Sequence, residues 1–196
     1  MKKLLFAALL SIVSVGAFAQ YEPGSWTIAP KAGVSLSKFS DMSTSRFRPG
    51  VVAGVEFQGY ASKVFSVSFG AFYSQEGTKD RGMHRHFSST IQADYVNIPL
   101  LANFYLGKGF SLKAGIQAGI NVRCKVKGPE FAEQRYVDIR DYAKPAVFSL
   151  PVGISYETNN IVLDARYNYG FNKILRGEPY QGHVLQFTIG YKFQVK

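Results

Sequence analysis

Two sets of side chains in this sequence have the chemistry for a site. The first is imidazole: His84, His86 and His183, with Ser88 and Ser89 beside the first two. Imidazole binds metals and titrates near neutral pH, and a histidine next to a serine supplies a base and a nucleophile. No acidic or cysteine partner stands at ligand spacing around Met83-His84-Arg85-His86, so a metal site is disfavoured. Nothing local fixes a serine–histidine geometry either, so these residues read as solvated loop positions rather than as a lipid hydrolase. The second set is Lys31, Glu56, Lys113, Asp164, Arg166 and Lys192, dispersed along the chain. These matter only if the fold gathers them, because buried charges must pair. No Gly-rich phosphate loop opens a helix and no basic stripe occurs, so neither a cofactor nor a nucleic-acid partner is implied. Cys124 is the single cysteine and can form no internal disulfide. At a strand end and facing outward, it reads as a small apolar residue.

The elements that must position these residues have a period of two. Leu185, Phe187, Ile189, Tyr191 and Phe193 alternate with polar residues or glycine, and so do Ile161, Leu163, Ala165, Tyr167 and Tyr169. The longest run alternates from Phe110 to Val122. Such alternation marks strands with chemically different faces. Five less regular runs lie near 26–39, 48–60, 64–75, 94–105 and 146–157, making eight, with bulges expected at Pro99 and Pro151. Short connections at 61–63, 106–109 and 158–160 read as hairpin turns. They alternate with longer polar connections near 40–47, 76–93, 125–145 and 170–183. Short and long connections therefore fall at opposite ends of an up-and-down sheet. The 196 residues suffice for one such domain.

Alternation leaves two all-β readings. A soluble lipocalin-like barrel turns its apolar face inward and binds an apolar ligand; a transmembrane barrel turns that face to lipid. The polar face carries the six charged residues above together with Gly33, Gly54, Gly70, Gly115, Gly119, Gly153 and Gly190. Glycine weakens a strand unless something must approach its backbone. The narrow interior of an eight-strand barrel imposes that approach. Glu56 and Asp164 are therefore expected to pair with some of Lys31, Lys113, Arg166 and Lys192 across a lumen. Aromatics make up 15% of the chain, and charged residues 18% against roughly 25% in soluble domains. Rings cluster at the run ends (Trp26, Tyr60, Phe65, Tyr73, Tyr95, Phe104, Tyr105, Phe110, Tyr156, Tyr167, Tyr169, Tyr191 and Phe193), as interfacial girdles would. The expected fold is an all-β, eight-stranded antiparallel up-and-down transmembrane β-barrel.

Residues 1–19 fit a cleavable export signal: Lys2 and Lys3, an apolar run from Leu4 to Gly16, and Ala17-Phe18-Ala19 before Gln20. Removing it lowers the formal charge from +10 to +8 and leaves 20–196 as the barrel domain. The run is shorter than the ~20 residues of a spanning helix.

Five segments carry a family likeness: Phe72-Tyr73-Ser74-Gln75-Glu76-Gly77, Tyr95-Val96-Asn97-Ile98-Pro99-Leu100, Pro151-Val152-Gly153, Ala165-Arg166-Tyr167-Asn168-Tyr169-Gly170 and Gly190-Tyr191-Lys192-Phe193. Jointly, over nearly all of the chain after residue 19, they resemble the PorT-type outer-membrane β-barrel family of Gram-negative envelopes, with an OmpX/OmpA-like eight-strand architecture. The chain departs from that pattern in continuing past its last aromatic with Gln194-Val195-Lys196. The resemblance implies an outer-membrane location, and some relatives are linked to a secretion system; it implies no catalytic residue. A structural or interaction role is expected, neither enzyme nor general pore, since an eight-strand interior is filled. The 125–145 connection mixes Phe131, Arg135, Tyr136, Arg140 and Tyr142 and suits a protein contact or a self-packed lid. Lipopolysaccharide phosphates and an envelope or secretion-system protein are the expected partners, with arginine favoured for phosphate.

Overall fold

The computed structural model describes residues 21–40, 45–80, 89–127, 137–175 and 180–195. Eight long strands dominate: β1 (Trp26–Phe39), β2 (Arg48–Tyr60), β3 (Phe65–Asp80), β4 (Ser89–Gly107), β5 (Phe110–Lys127), β6 (Ala146–Thr158), β7 (Ile161–Lys173) and β8 (Gln181–Tyr191). Each is antiparallel to the next, and β8 returns to β1 from Lys31↔Gly190 to Phe39↔Gly182. The sheet is therefore a closed barrel, which leaves no strand edge unpaired, as hydrocarbon requires. The short Phe193–Val195 piece continues the closure on Trp26–Ile28. Between it and β8, Lys192 leaves the ladder and donates its backbone N–H to the Asn160 carbonyl oxygen at 2.8 Å.

The turn between β6 and β7 is set by Asn159 and Asn160, both with left-handed φ (47° and 67°), a conformation asparagine tolerates and tight hairpins need. The short turns share one end of the barrel with the first and last described residues, Tyr21 and Val195. At the other end β3, β4 and β5 reach 16, 19 and 18 residues. A tilted spanning strand needs about 9–11, so these three project beyond the bilayer. Strand therefore extends into the connections expected at 76–93 and 125–145, over 76–80, 89–93 and 125–127, with a further short piece at Val137–Asp138, and His183 lies within β8 rather than in a loop.

Pro99 and Pro151 produce no bulge. Each takes rungs from one flanking ladder, with a gap between Phe69↔Leu100 and Phe72↔Asn97, and another between Ala114↔Val152 and Gln117↔Ser149, while the register stays constant. A bulge stands elsewhere. Asp94 faces Arg123 but Tyr95 faces Asn121, so Val122 is the extra residue. Such an insertion shifts the inside–outside phase of a strand. Beyond it Cys124 turns inward and is completely buried, contrary to the outward placement expected from unbroken alternation.

The two faces have inverted polarity. Ile116, Ile154 and Ile189 are more than half exposed on the outer wall, while Lys31, Glu56, Lys113, Asp164 and Arg166 are each 5% exposed or less. A water-soluble barrel has the reverse, so the soluble lipocalin-like reading is excluded. Phe65–Phe104, Phe110–Tyr156 and Tyr191–Phe193 pair on the outer wall toward the turn end, with ring centroids 5.1, 4.7 and 4.8 Å apart. Tyr60, Tyr95 and Tyr105 do not join this girdle: they share the strand parity of inward-facing neighbours and are buried inside.

Glycine serves the interior at two sites in particular. A Cβ on Gly54 would strike the Ala71 carbonyl oxygen and the buried Phe72 ring, and one on Gly190 would press on the Lys31 stem. Gly54→Ala should cost about 1–3 kcal/mol by overpacking, read as a lowered urea midpoint for the heat-modifiable gel shift. A midpoint unchanged from the parent would contradict the close approach.

Candidate functional site

The lumen is built in layers. Midway along it, β1 supplies Lys31, β2 Glu56, β5 Lys113 and β7 Asp164 and Arg166. Lys31 Nζ lies 2.6 Å from Glu56 Oε1 and 2.5 Å from Asp164 Oδ2. Lys113 Nζ bridges the same two oxygens at 3.2 and 2.9 Å. Arg166 Nη2 stands 3.4 Å from Glu56 Oε2 and 3.8 Å from Asp164 Oδ2. Glycines flank the long chains on the ladder: Lys31 is paired with Gly54 on one side and Gly190 on the other, and Lys113 and Arg166 both pair with Gly153. Shared carboxylates hold three cations, so four strands are tied across the axis.

Toward the turn end a second layer closes the lumen. Lys192 Nζ donates to Glu157 Oε2 at 2.5 Å and to Tyr60 Oη at 3.0 Å. Lys192 thus lies in the lumen but pairs with Glu157 rather than with Glu56 or Asp164. Sequence reasoning passed over Glu157, although its parity with Gly153 and Ser155 places it on the inner face. Tyr21 packs tilted against Tyr60, with ring centroids 5.0 Å apart, and accepts a hydrogen bond from Asn160 Nδ2 at 2.8 Å. Burial, reinforced by the nearby Glu157 carboxylate, pushes the Tyr21 phenol up to about 12, so it stays neutral. Gln58 Nε2 bonds Tyr105 Oη and Ser66 Oγ, each at 2.5 Å.

The end with the long connections is capped by apolar packing. Phe39, Ile91, Ala93, Tyr95, Cys124, Ala143, Ile174 and Leu175 form one buried cluster, with Ile139 and Tyr180 against it. The chain returning from the third long connection is fastened there by the Ala143↔Leu175 bridge and by the Lys144 N–H donating to the Ile174 carbonyl oxygen at 2.8 Å. A single 3-10 turn, Arg140–Tyr142, lies over this cap, and Tyr142 is 68% exposed. A recess of about 450 Å³ beside it is lined by Asn121, Arg140, Asp141, Ala143 and Pro145.

Residues 18–176 match the protein family described as "Outer membrane protein beta-barrel domain". The chain belongs to this family. Comparison with curated proteins gives no match. Among solved structures it is similar to Ail, the attachment invasion locus protein of Yersinia pestis, at 17% identity and TM-score 0.53, covering 87% of this chain and 99% of that one. Ail in complex with the heparin analogue sucrose octasulfate gives 14% identity and TM-score 0.55, with 87% and 99% covered. Neisserial surface protein A gives 17% and 0.54, with 86% and 97% covered. These likenesses concern the fold, an eight-stranded outer-membrane barrel.

In this outer-membrane barrel the described residues singled out from sequence fall in four places. Lys31, Glu56, Lys113, Asp164 and Arg166 meet in one network, and Lys192 joins a separate layer. Arg140 and Tyr142 lie on the cap, where the connection both packs inward through Ala143 and presents side chains outward. His84, His86, Phe131, Arg135 and Tyr136, and the export signal, lie outside the described residues. His183 is enclosed between outer-wall tyrosines: Nδ1 is 3.0 Å from Tyr167 Oη, and its ring centroid is 5.0 Å from that of Tyr169. Among the described residues no group of three His, Cys, Asp or Glu is placed to hold a metal.

Proposed function

We propose that this outer-membrane barrel works through its outer surface, as a structural or interaction element of the envelope, and is neither a general pore nor an enzyme. The observation that carries this reading is the lumen, obstructed at three successive levels: the Lys192–Tyr60 layer, the Lys31–Glu56–Lys113–Asp164–Arg166 network and the apolar cap. A path for solutes would have to break all three. In contrast, Arg140 and Tyr142 project from an anchored segment, which limits the conformational entropy that binding would cost.

The partner chemistry that suits them is anionic or aromatic: lipopolysaccharide phosphates, for which arginine provides a bidentate donor, or a protein of the envelope. Within the family, the PorT-type resemblance favours a component of a secretion system, and residues 1–19 are read as the export signal. A photo-crosslinker at position 142 in intact cells should capture lipopolysaccharide or one discrete envelope protein, and Arg140→Ala should reduce the yield several-fold. Absence of any adduct, together with steady conductance in planar bilayers, would overturn the proposal.

A further inference from the structure

Between the mid-lumen network and the apolar cap lies a cavity of about 30 Å³ whose lining is part apolar and includes the polar side chains of Glu76, Tyr95, Asn97, Gln117 and Asn168. Glu76 has an unusual environment among the lumen carboxylates. Glu56 and Asp164 share Lys31 and Lys113, Glu157 has Lys192, and Asp94 has Arg123 within 4 Å. For Glu76 the cationic neighbour is Arg48. The guanidinium of Arg48 approaches but donates to the Glu76 backbone carbonyl oxygen, and the carboxylate itself accepts from Asn97 Nδ2 at 2.8 Å.

The wall opposite offers polar atoms that nothing in the protein satisfies. Asn168 is 2% exposed, and neither its Nδ2 nor its Oδ1 has a partner, so turning the amide over changes nothing. Tyr95 Oη, also buried, has none. Buried polar groups are nearly always bonded, and exceptions point to a missing water or ion. A cavity of this size holds roughly two water-sized particles. Neutral oxygen donors around a single carboxyl group, which carries at most one negative charge, suit a hard cation of single charge better than a divalent one. The cavity lies against the β6–β7 seam, whose backbone ladder ends at Ser149↔Gly170. Beyond it the Asn172 side chain bridges, accepting from Phe148 N–H at 2.6 Å and donating to the Ala146 carbonyl oxygen at 3.3 Å, before the Ala143↔Leu175 bridge closes the seam.

We propose that Glu76, Tyr95, Asn97, Gln117 and Asn168 form a binding site for a small monovalent metal cation in the outer part of the lumen. It sits beyond the network and does not depend on the surface role.

The test is thermal unfolding of the full barrel in detergent, followed by its gel shift, with sodium chloride exchanged for choline chloride at constant pH and ionic strength. Sodium should raise the midpoint saturably by about 2–4 °C, the shift produced by a site worth a few-fold in the folding equilibrium. Glu76→Gln should abolish the response. Asn168→Ala, which keeps the charge, should require several-fold more sodium for the same shift, and this variant carries the test if Glu76→Gln does not fold. Equal midpoints in the two salts, or an unaltered sodium response in Asn168→Ala, would overturn the proposal and leave the cavity to water.

Discussion

Glu56→Ala should lower the stability of the barrel by about 3–5 kcal/mol, the cost of removing one partner from a buried ion pair. Glu56 accepts from Lys31, Lys113 and Arg166 at once. Its loss leaves three buried cations facing Asp164 alone. The penalty comes mainly from the stranded charges and only in part from the lost attraction, and that difference can be measured. Glu56→Leu combined with Lys113→Met removes one charge of each sign while retaining bulk, and it should recover most of the loss, because apolar replacement of a buried pair is commonly neutral or stabilising. Urea titration of the folded and unfolded gel bands, from both directions, reads both variants. Equal loss in the single and the double variant would mean that charge balance is irrelevant to the lumen.

Ile116→Arg is the second large effect. Ile116 lies midway along the spanning part of β5, on the outer wall, and is 59% exposed. In water, arginine there would be almost neutral, since exposed substitutions usually fall within about 0.5 kcal/mol. In a bilayer, arginine at the midplane of a barrel wall costs about 2–4 kcal/mol. The variant should therefore fold poorly into vesicles, while Tyr142→Arg, beyond the membrane, should fold like the parent. Parity between these two variants would contradict the membrane placement of the wall.

Much of this was legible in the sequence because a strand converts parity directly into side. Leu185 to Phe193 and Phe110 to Val122 state their faces residue by residue, and three turns follow from short polar breaks. The lysines and carboxylates of the mid-lumen lie on the face opposite to Ile, Leu and Phe, which makes them neighbours once the sheet closes. Parity fails at insertions. The extra residue at Val122 reverses the rule for Cys124, and no local signal marks it. Tyr60, Tyr95 and Tyr105 were grouped by their nearness to strand ends, whereas their parity assigns them to the interior. The partner of Lys192 was obscured because Lys192 lies outside the regular ladder, so its reach toward Glu157 depends on how the last turn bends rather than on register. The lengths of β3, β4 and β5 were underestimated for a different reason: beyond the bilayer both faces meet water or the cap, and alternation fades although pairing continues.

Which face of each strand meets acyl chains decides whether the charged residues lie in the lumen. Nitroxide labels placed singly along β8 in lipid vesicles, in a Cys124→Ser background, report this through collisional relaxation by oxygen and by a polar nickel chelate. Labels at 185, 187 and 189 should show high oxygen and low nickel accessibility, and labels at 186 and 188 should be shielded from both. The reverse pattern, or high nickel accessibility at 185, 187 and 189, would contradict the barrel described here.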